Sequence, residues 1–312
     1  MLCNLLTHLI IKSIHRQPST YMSDSTIRLE FSIGLNYEID QPGSDFIFSI
    51  QVCQTNHQLI ISEYLNVNQD ISLGSYTDPS SHNKLLRLKG LPGILKLEYG
   101  GVVDLNHYLA SPSQIYEMPI NSLPGEVLIY LYPSRYCQSD FMKDIAVKTF
   151  GNLAQGYSRV QAIKDWVTNH VCFCNNTSTE HTTAVDTYLS KAGVCRDFAH
   201  LMIALCRALN IPARFVTGID YGSDPILGPT DFHAYVEVYL GGHWFIFDPS
   251  GIAIPMGFVR LGTGRDAADT AIATIFGSVR GSTPIVSIKA IPNAQGDLMI
   301  PQHVANAVST GD

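Results

Sequence analysis

Gly193-Val194-Cys195-Arg196-Asp197-Phe198-Ala199-His200-Leu201-Met202-Ile203-Ala204-Leu205-Cys206 is the stretch that decides the fold. A Gly-Val turn hands a thiol to the first residue of a helix that is apolar nearly all round. Phe198, Leu201, Met202 and Leu205 form one stripe, and Ala199, Ile203 and Cys206 form the next. A helix apolar on every side is buried centrally. Its N-terminus can therefore be aimed rigidly at a cleft. The unpaired N–H groups and positive dipole there favour thiolate over thiol, and the thiolate is the nucleophilic form. A buried structural cysteine is the competing reading of Cys195 taken alone.

Downstream, His233-Ala234-Tyr235-Val236-Glu237-Val238-Tyr239-Leu240 alternates, with Ala234, Val236, Val238 and Leu240 on one face. Gly241-Gly242 then reads as a two-residue hairpin turn into His243-Trp244-Phe245-Ile246-Phe247-Asp248. In that register Leu240 faces His243, Val238 faces Phe245 and Tyr235 faces Asp248. His233 and Asp248 become diagonal neighbours on one face, roughly 7–8 Å apart at the backbone. A slip of one residue would separate them. The three side chains then take roles: Cys195 as nucleophile, His233 as base and later acid, and Asp248 as the group that fixes the imidazole tautomer. The alternative is a sheet histidine with a satisfied hydrogen bond and an aspartate that ends a strand before Pro249.

The order of these residues resembles the transglutaminase-like superfamily. The resemblance is carried by Thr182-Thr183-Ala184, by Gly193 to Leu201, by Leu209-Asn210-Ile211-Pro212-Ala213-Arg214, by His233 to Val238 and by Asp248-Pro249. Pro133-Ser134-Arg135-Tyr136-Cys137 and Gly262-Thr263-Gly264-Arg265-Asp266-Ala267-Ala268-Asp269 further resemble a bacterial subgroup described as transglutaminase-like cysteine peptidases, which carry an N-terminal β domain. The resemblance implies an α+β fold whose papain-like core packs a central helix on an antiparallel sheet, preceded by an all-β sandwich-like domain. It also implies a catalytic triad of Cys195, His233 and Asp248. Arg196 stands where animal crosslinking members usually carry an aromatic residue, a departure that bears on crosslinking more than on the fold.

The implied function is a cysteine-dependent amide hydrolase, a peptidase working through a thioester acyl-enzyme on a peptide or protein substrate. The alternatives are a protein-glutamine transamidase of the same mechanism and a non-catalytic peptide-binding scaffold. No cofactor and no metal are called for. His170, Cys172, Cys174 and His181 gather soft ligands, but Cys-x-Cys spaces its thiols more tightly than zinc sites typically do. His200 is expected to be a buried histidine bonded to backbone, Asp197 to complement the helix dipole, Glu237 to be a rim or structural carboxylate, and His243 to face solvent at the turn.

Of 312 residues, 46% are hydrophobic and 15% charged, which describes a globular chain long enough for two domains. A net charge of −7 and the lack of a basic, aromatic-interleaved stripe argue against a nucleic-acid partner. No apolar run of spanning length suggests a membrane helix. Cys3, Cys53, Cys137, Cys172, Cys174, Cys195 and Cys206 show no disulfide-like framework, so a cytoplasmic, reducing location is expected, with export not excluded.

Along the chain, residues 1–22 read as a loose extension and 23–131 as the β domain, with strands at 27–33, 46–52, 59–67, 85–91 and 94–99. Residues 132–140 read as a linker and 141–292 as the catalytic domain. Within the latter, helices are expected at 141–152 and 158–170, a strand at 214–219, a loop at 220–232 bordering the substrate groove or forming an ordinary surface connection, a short helix at 266–273 and a closing strand at 284–288. Residues 293–312 read as a tail.

Overall fold

The architecture turns on one four-stranded antiparallel sheet with both faces covered. A computed structural model describes residues 21–22, 26–222 and 230–311; residues 1–20 of the extension expected at the N-terminus and most of the expected groove loop lie outside them, while Tyr21–Met22, the end of that extension, is not loose but pairs antiparallel with residues 108–109. The β domain contributes β1 (Ile27–Ile39), β2 (Ser44–Phe48), β3 (Gln58–Val67), β4 (Leu73–Thr77), β5 (Lys84–Gly90) and β6 (Gly93–Leu105). In one sheet β6 lies between β1 and β3, and in the other β5 lies between β2 and β4. Alternation drives this pairing. In β1 the buried residues Ile27, Leu29, Phe31, Ile33 and Leu35 fall at every second position.

Helices α1 (Lys143–Phe150), α2 (Tyr157–His170), α3 (Ala184–Ser190) and α4 (Cys195–Ala208) follow. The central sheet is then built from β7 (Ala213–Asp220), β8 (Phe232–Leu240), β9 (His243–Phe247) and β10 (Phe258–Gly264), in the order β9-β8-β7-β10. The hairpin register is the expected one, with Leu240 opposite His243 and Val238 opposite Phe245. Gly241 and Gly242 both have positive φ, 56° and 93°, as a primed two-residue turn requires. Helix α4 is buried from Asp197 through Arg207, and its Phe198, Leu201, Met202 and Leu205 share one core with Phe215, Val236, Val238, Leu240 and Phe245.

The opposite sheet face is not open to solvent. Val216, Tyr235, Ile246 and Phe258 belong to the core of the β domain, together with Leu29, Ile50, Val103 and Leu105. Burial on both faces leaves no exposed residue in β7. It also decides between the two readings of Glu237, rim or structural carboxylate, for the structural one: Glu237 is fully buried and paired with Arg214 at 2.6 Å.

The structure departs from the expected linear division after β10. β11 (Ala273–Phe276) pairs with β2, while β12 (Val279–Gly281) and β13 (Ile285–Ile291) both pair with β1. Residues 273–291 thus complete the β domain rather than the catalytic one. No helix forms at 266–273, where turns are found. Asp266 accepts the backbone N–H groups of Tyr136 and Ala268, and Asp269 accepts that of Arg265. Such local side-chain bonds compete with helical pairing. The expected linker is packed rather than loose: Tyr136, Cys137 and Ser139 are buried, and Arg207 donates to the Tyr132 carbonyl and the Ser134 hydroxyl. Residues 293–312 do not behave as a free tail either. Ala307–Ser309 forms a short strand, β14, antiparallel to Tyr108–Ala110, and Thr55 donates to the Thr310 carbonyl.

Val308 is 4% exposed in that strand, whereas Val304 is 40% exposed. Val308→Asp is predicted to lower stability by about 2–4 kcal/mol through an unpaired buried charge, and Val304→Asp to change it by less than about 0.5 kcal/mol. Urea melts of the two variants check this; equal melts would mean that β14 contributes nothing to the fold.

Candidate active site

The first turn of α4 is assembled by a glycine and an aspartate. Asp197 reaches back to accept the Val194 N–H at 2.9 Å and also accepts from the Ser178 hydroxyl at 2.9 Å. A negative side chain in the first turn complements the helix dipole, as expected for this residue. The contact is possible because residue 193 is glycine: a Cβ there would lie 2.7 Å from the Asp197 Cβ. Gly193 also pairs with Phe173 in a two-residue parallel ladder, and Cys174 donates its N–H to the Gly193 carbonyl at 3.0 Å. Arg196 turns outward, donating to Ser178 Oγ and to the Thr179 carbonyl, both at 2.5 Å. Cys195 is half-buried at the head of this braced turn.

His233, the second residue of β8, is 4% exposed, and its Nε2 lies 3.3 Å from Asp248 Oδ1. A carboxylate can only accept, so Nε2 carries the proton. That leaves Nδ1 free to turn toward the Cys195 thiol, which lies near enough to raise the imidazole. Phe258 stacks on the imidazole at 5.4 Å between centroids, 12° from parallel. Asp248 is itself held at four points, by His233, the Ser250 N–H at 3.0 Å, the Ser250 hydroxyl at 2.5 Å and the Ala253 N–H at 3.0 Å. The structure therefore joins His233 to Asp248 and places the Cys195 thiol near enough to act on the same ring. The residues that hold Asp248 had no signal of their own beyond following it closely in the chain.

Electrostatics act on the pair in opposite directions. Burial disfavours the His233 cation, but the Asp248 charge, its hydrogen bond and the contact with Cys195 outweigh this, and the imidazole sits well above its ordinary value of 6.5. Burial likewise pushes Asp248 up, yet the His233 cation and the bonds from His233, Ser250 and Ala253 hold it below the usual carboxylate value of 3.8.

The other residues take quieter places. His200 is fully buried, accepts the Ala267 N–H at Nε2 (3.1 Å) and stacks on Tyr136; burial and two nearby arginines push it well below the ordinary histidine value. His243 is exposed but stacks on Tyr108 at 4.5 Å. The Cys172 and Cys174 thiols are 3.3 Å apart, while His170 bonds the Tyr188 carbonyl and His181 faces Glu180 at the surface. A groove of about 220 Å³ reaches Asp248 from the α2 side, lined also by Tyr157, Gln161 and His303, but neither Cys195 nor His233 opens into it.

Residues 143–249 match the core of the transglutaminase-like superfamily, and residues 27–126 match the N-terminal domain of bacterial transglutaminase. A solved structure from Cytophaga hutchinsonii, described as a candidate cysteine protease, superposes with a TM-score of 0.84 at 35% identity, over 93% of this chain and 99% of that one. The chain belongs to the transglutaminase-like superfamily. An uncharacterized protein of Mycobacterium leprae is 31% identical over 131 residues, 40% of this chain and 47% of its own. One of Mycobacterium tuberculosis is 30% identical over 136 residues, 39% and 43% of the two chains. The match spans less than half the length of these curated relatives.

Two predictions follow from the geometry. Gly193→Ala should destabilise the protein by about 1–3 kcal/mol, because Asp197 must give way at the helix start; a thermal melt indistinguishable from wild type would refute the close-contact argument. Asp248→Asn should cost roughly 3–5 kcal/mol near pH 5, since it leaves a buried cation unpaired. The raised His233 contributes stability that is complete below pH 6.5 and lost as pH rises through its folded value. The lowered Asp248 contributes stability that is complete above pH 3.8 and lost as pH falls through its folded value. The difference between wild type and variant, followed by urea melts across pH, should therefore be greatest between those limits and shrink on both sides; a difference independent of pH would refute the pairing.

Proposed function

We propose that this protein is a cysteine-dependent amide hydrolase, a peptidase that works through a thioester acyl-enzyme. The observation that carries the reading is the buried His233–Asp248 pair at 3.3 Å, with the Cys195 thiol near enough to the same ring to raise it. Membership of the superfamily and the likeness to the Cytophaga hutchinsonii protein support cysteine-peptidase or transglutaminase-like activity more broadly.

In the proposed sequence the Cys195 thiolate attacks the carbonyl carbon of an amide, forming a C–S bond as the carbonyl electrons move onto oxygen. The oxyanion is met by the Cys195 N–H, which, as the first of the helix, has no intrahelical partner. Collapse breaks the C–N bond, and the His233 cation gives its proton to the departing amine. Neutral His233 then takes a proton from water, which attacks the thioester. Collapse of the second tetrahedral intermediate breaks the C–S bond, the acid product leaves, and the Cys195 thiolate is restored beside the His233 cation, which holds the proton taken from water. Asp248 keeps the ring oriented through both steps and stabilises its cation. An amine in place of water would give transfer instead of hydrolysis.

The test is incubation with a peptide library containing a labelled primary amine, read by mass spectrometry. Hydrolysis predicts new peptide termini and a Cys195-linked acyl adduct on rapid quenching. Cys195→Ala is expected to abolish both, and His233→Ala to slow turnover by about 10²–10⁴-fold. Amine incorporation in place of new termini would establish the transamidase alternative. No turnover, with Cys195 alkylated by iodoacetamide no faster than Cys172, would establish the scaffold.

A further inference from the structure

The register of the central sheet places a second acid beside His233. Gly218 of β7 is the residue paired with His233, and Asp220, two positions on, returns to the same face of that strand. On its other side Asp220 pairs with Phe258, the residue whose ring stacks on the His233 imidazole. Asp248 follows β9, which flanks β8 from the opposite side. His233 is thus bracketed by carboxyl groups from both neighbouring strands.

The two acids are held very differently. Asp248 is saturated with hydrogen bonds, whereas Asp220 is 2% exposed and its Oδ2 has no hydrogen-bond partner. A buried carboxyl oxygen without a donor is costly, and the loss is offset only where an opposite charge lies close. Among the described residues, the titratable groups facing His233 are Cys195 from α4, Asp248 beyond β9 and Asp220 from β7. β10 presents the uncharged Phe258, and Asp231, two residues earlier on the chain, is exposed. The nearby cation is therefore the imidazolium itself. Burial and the Asp248 charge push Asp220 above the usual carboxylate value of 3.8, while His233 pulls it back.

We propose that Asp220 is a positioning residue that stabilises the imidazolium form of His233 through space, from the side opposite Asp248. The inference rests on the acid–base role given to His233 above. The labour divides by geometry. Asp248 orients the ring by a hydrogen bond, and Asp220 adds charge without one. The expected consequence is a higher pH at which His233 loses its proton, so that the leaving amine can still be protonated in mildly alkaline solution.

The experiment is the pH dependence of Cys195 alkylation by iodoacetamide, followed by peptide mapping of the full chain. A thiolate–imidazolium pair gives two rises: one when the pair forms and a second when the imidazolium deprotonates and frees a more nucleophilic thiolate. In Asp220→Asn the second rise should move down by about one pH unit. Asp220→Ser, a smaller neutral side chain, should do the same, and Asp220→Glu, which keeps the charge, should retain the wild-type position. A merely structural role would move no step, or would move it equally in the Asn and Glu variants; either result overturns the proposal. A wild-type profile with both rises that Asp220→Asn copies would overturn it alone, whereas a wild-type profile without the lower rise would remove the functional reading as well.

Discussion

A carboxylate taken out of water remains ionised only if its lone pairs are met and an opposite charge stands beside it. Asp248, 4% exposed, meets both conditions through Ser250, Ala253 and His233, and much of the surrounding structure serves that arrangement. The His-Asp contact requires β8 and β9 in one register, which the Gly241-Gly242 turn fixes. The ring must be excluded from water, which Phe258 and the β domain accomplish. The thiol must arrive from elsewhere in the sequence at a fixed angle, which α4 provides because apolar neighbours enclose it on every side.

The β domain is accordingly part of the site's foundation. Its core extends without a break into the second face of the catalytic sheet, where Tyr235 and Phe258 stack at 3.9 Å, and β11, β12 and β13 close it only after the catalytic segment has been traversed. The chain enters this domain, leaves it and returns. Folding of the two parts is therefore coupled. The ion pair of Arg214 and Glu237, buried between the layers, adds a polar contact that tolerates little change of registry, since removing one partner strands the other.

The fold was legible in the sequence wherever periodicity and turn chemistry agreed. The hairpin register followed from Gly-Gly between two alternating runs, and α4 followed from an apolar helix behind Gly-Val. The meeting of His233 with Asp248 was legible for the same reason, because a period of two places them on one face. What escaped was information carried by long-range packing. The alternation of β8 identifies two faces but cannot say that a second domain covers the polar one, so Glu237 could be read as either a rim or a structural carboxylate. The run from Asp266 to Ala273 has helical composition, but its aspartates bond backbone N–H groups locally and keep it in turns. β13 looked like a closing strand of the nearest sheet, and only its pairing with β1, more than two hundred residues earlier, reveals which sheet it closes.

The same distinction separates the parts of the chemistry that local sequence can express from those it cannot. Cys195, His233 and Asp248 are adjacent to recognisable turns, so a one-dimensional reading can single them out. Asp220 lies in an apolar strand without any motif, and its relation to His233 exists only through the pairing of Gly218 across the sheet. A glycine at that pairing point has no side chain beyond Cα, so nothing of its own stands on the face where Asp220 and His233 lie. A residue whose effect is carried by charge through space needs neither contact nor spacing in sequence. Strand registry is the level at which such an influence first becomes visible, and here it puts an unsaturated acid on one flank of the imidazole and a saturated one on the other.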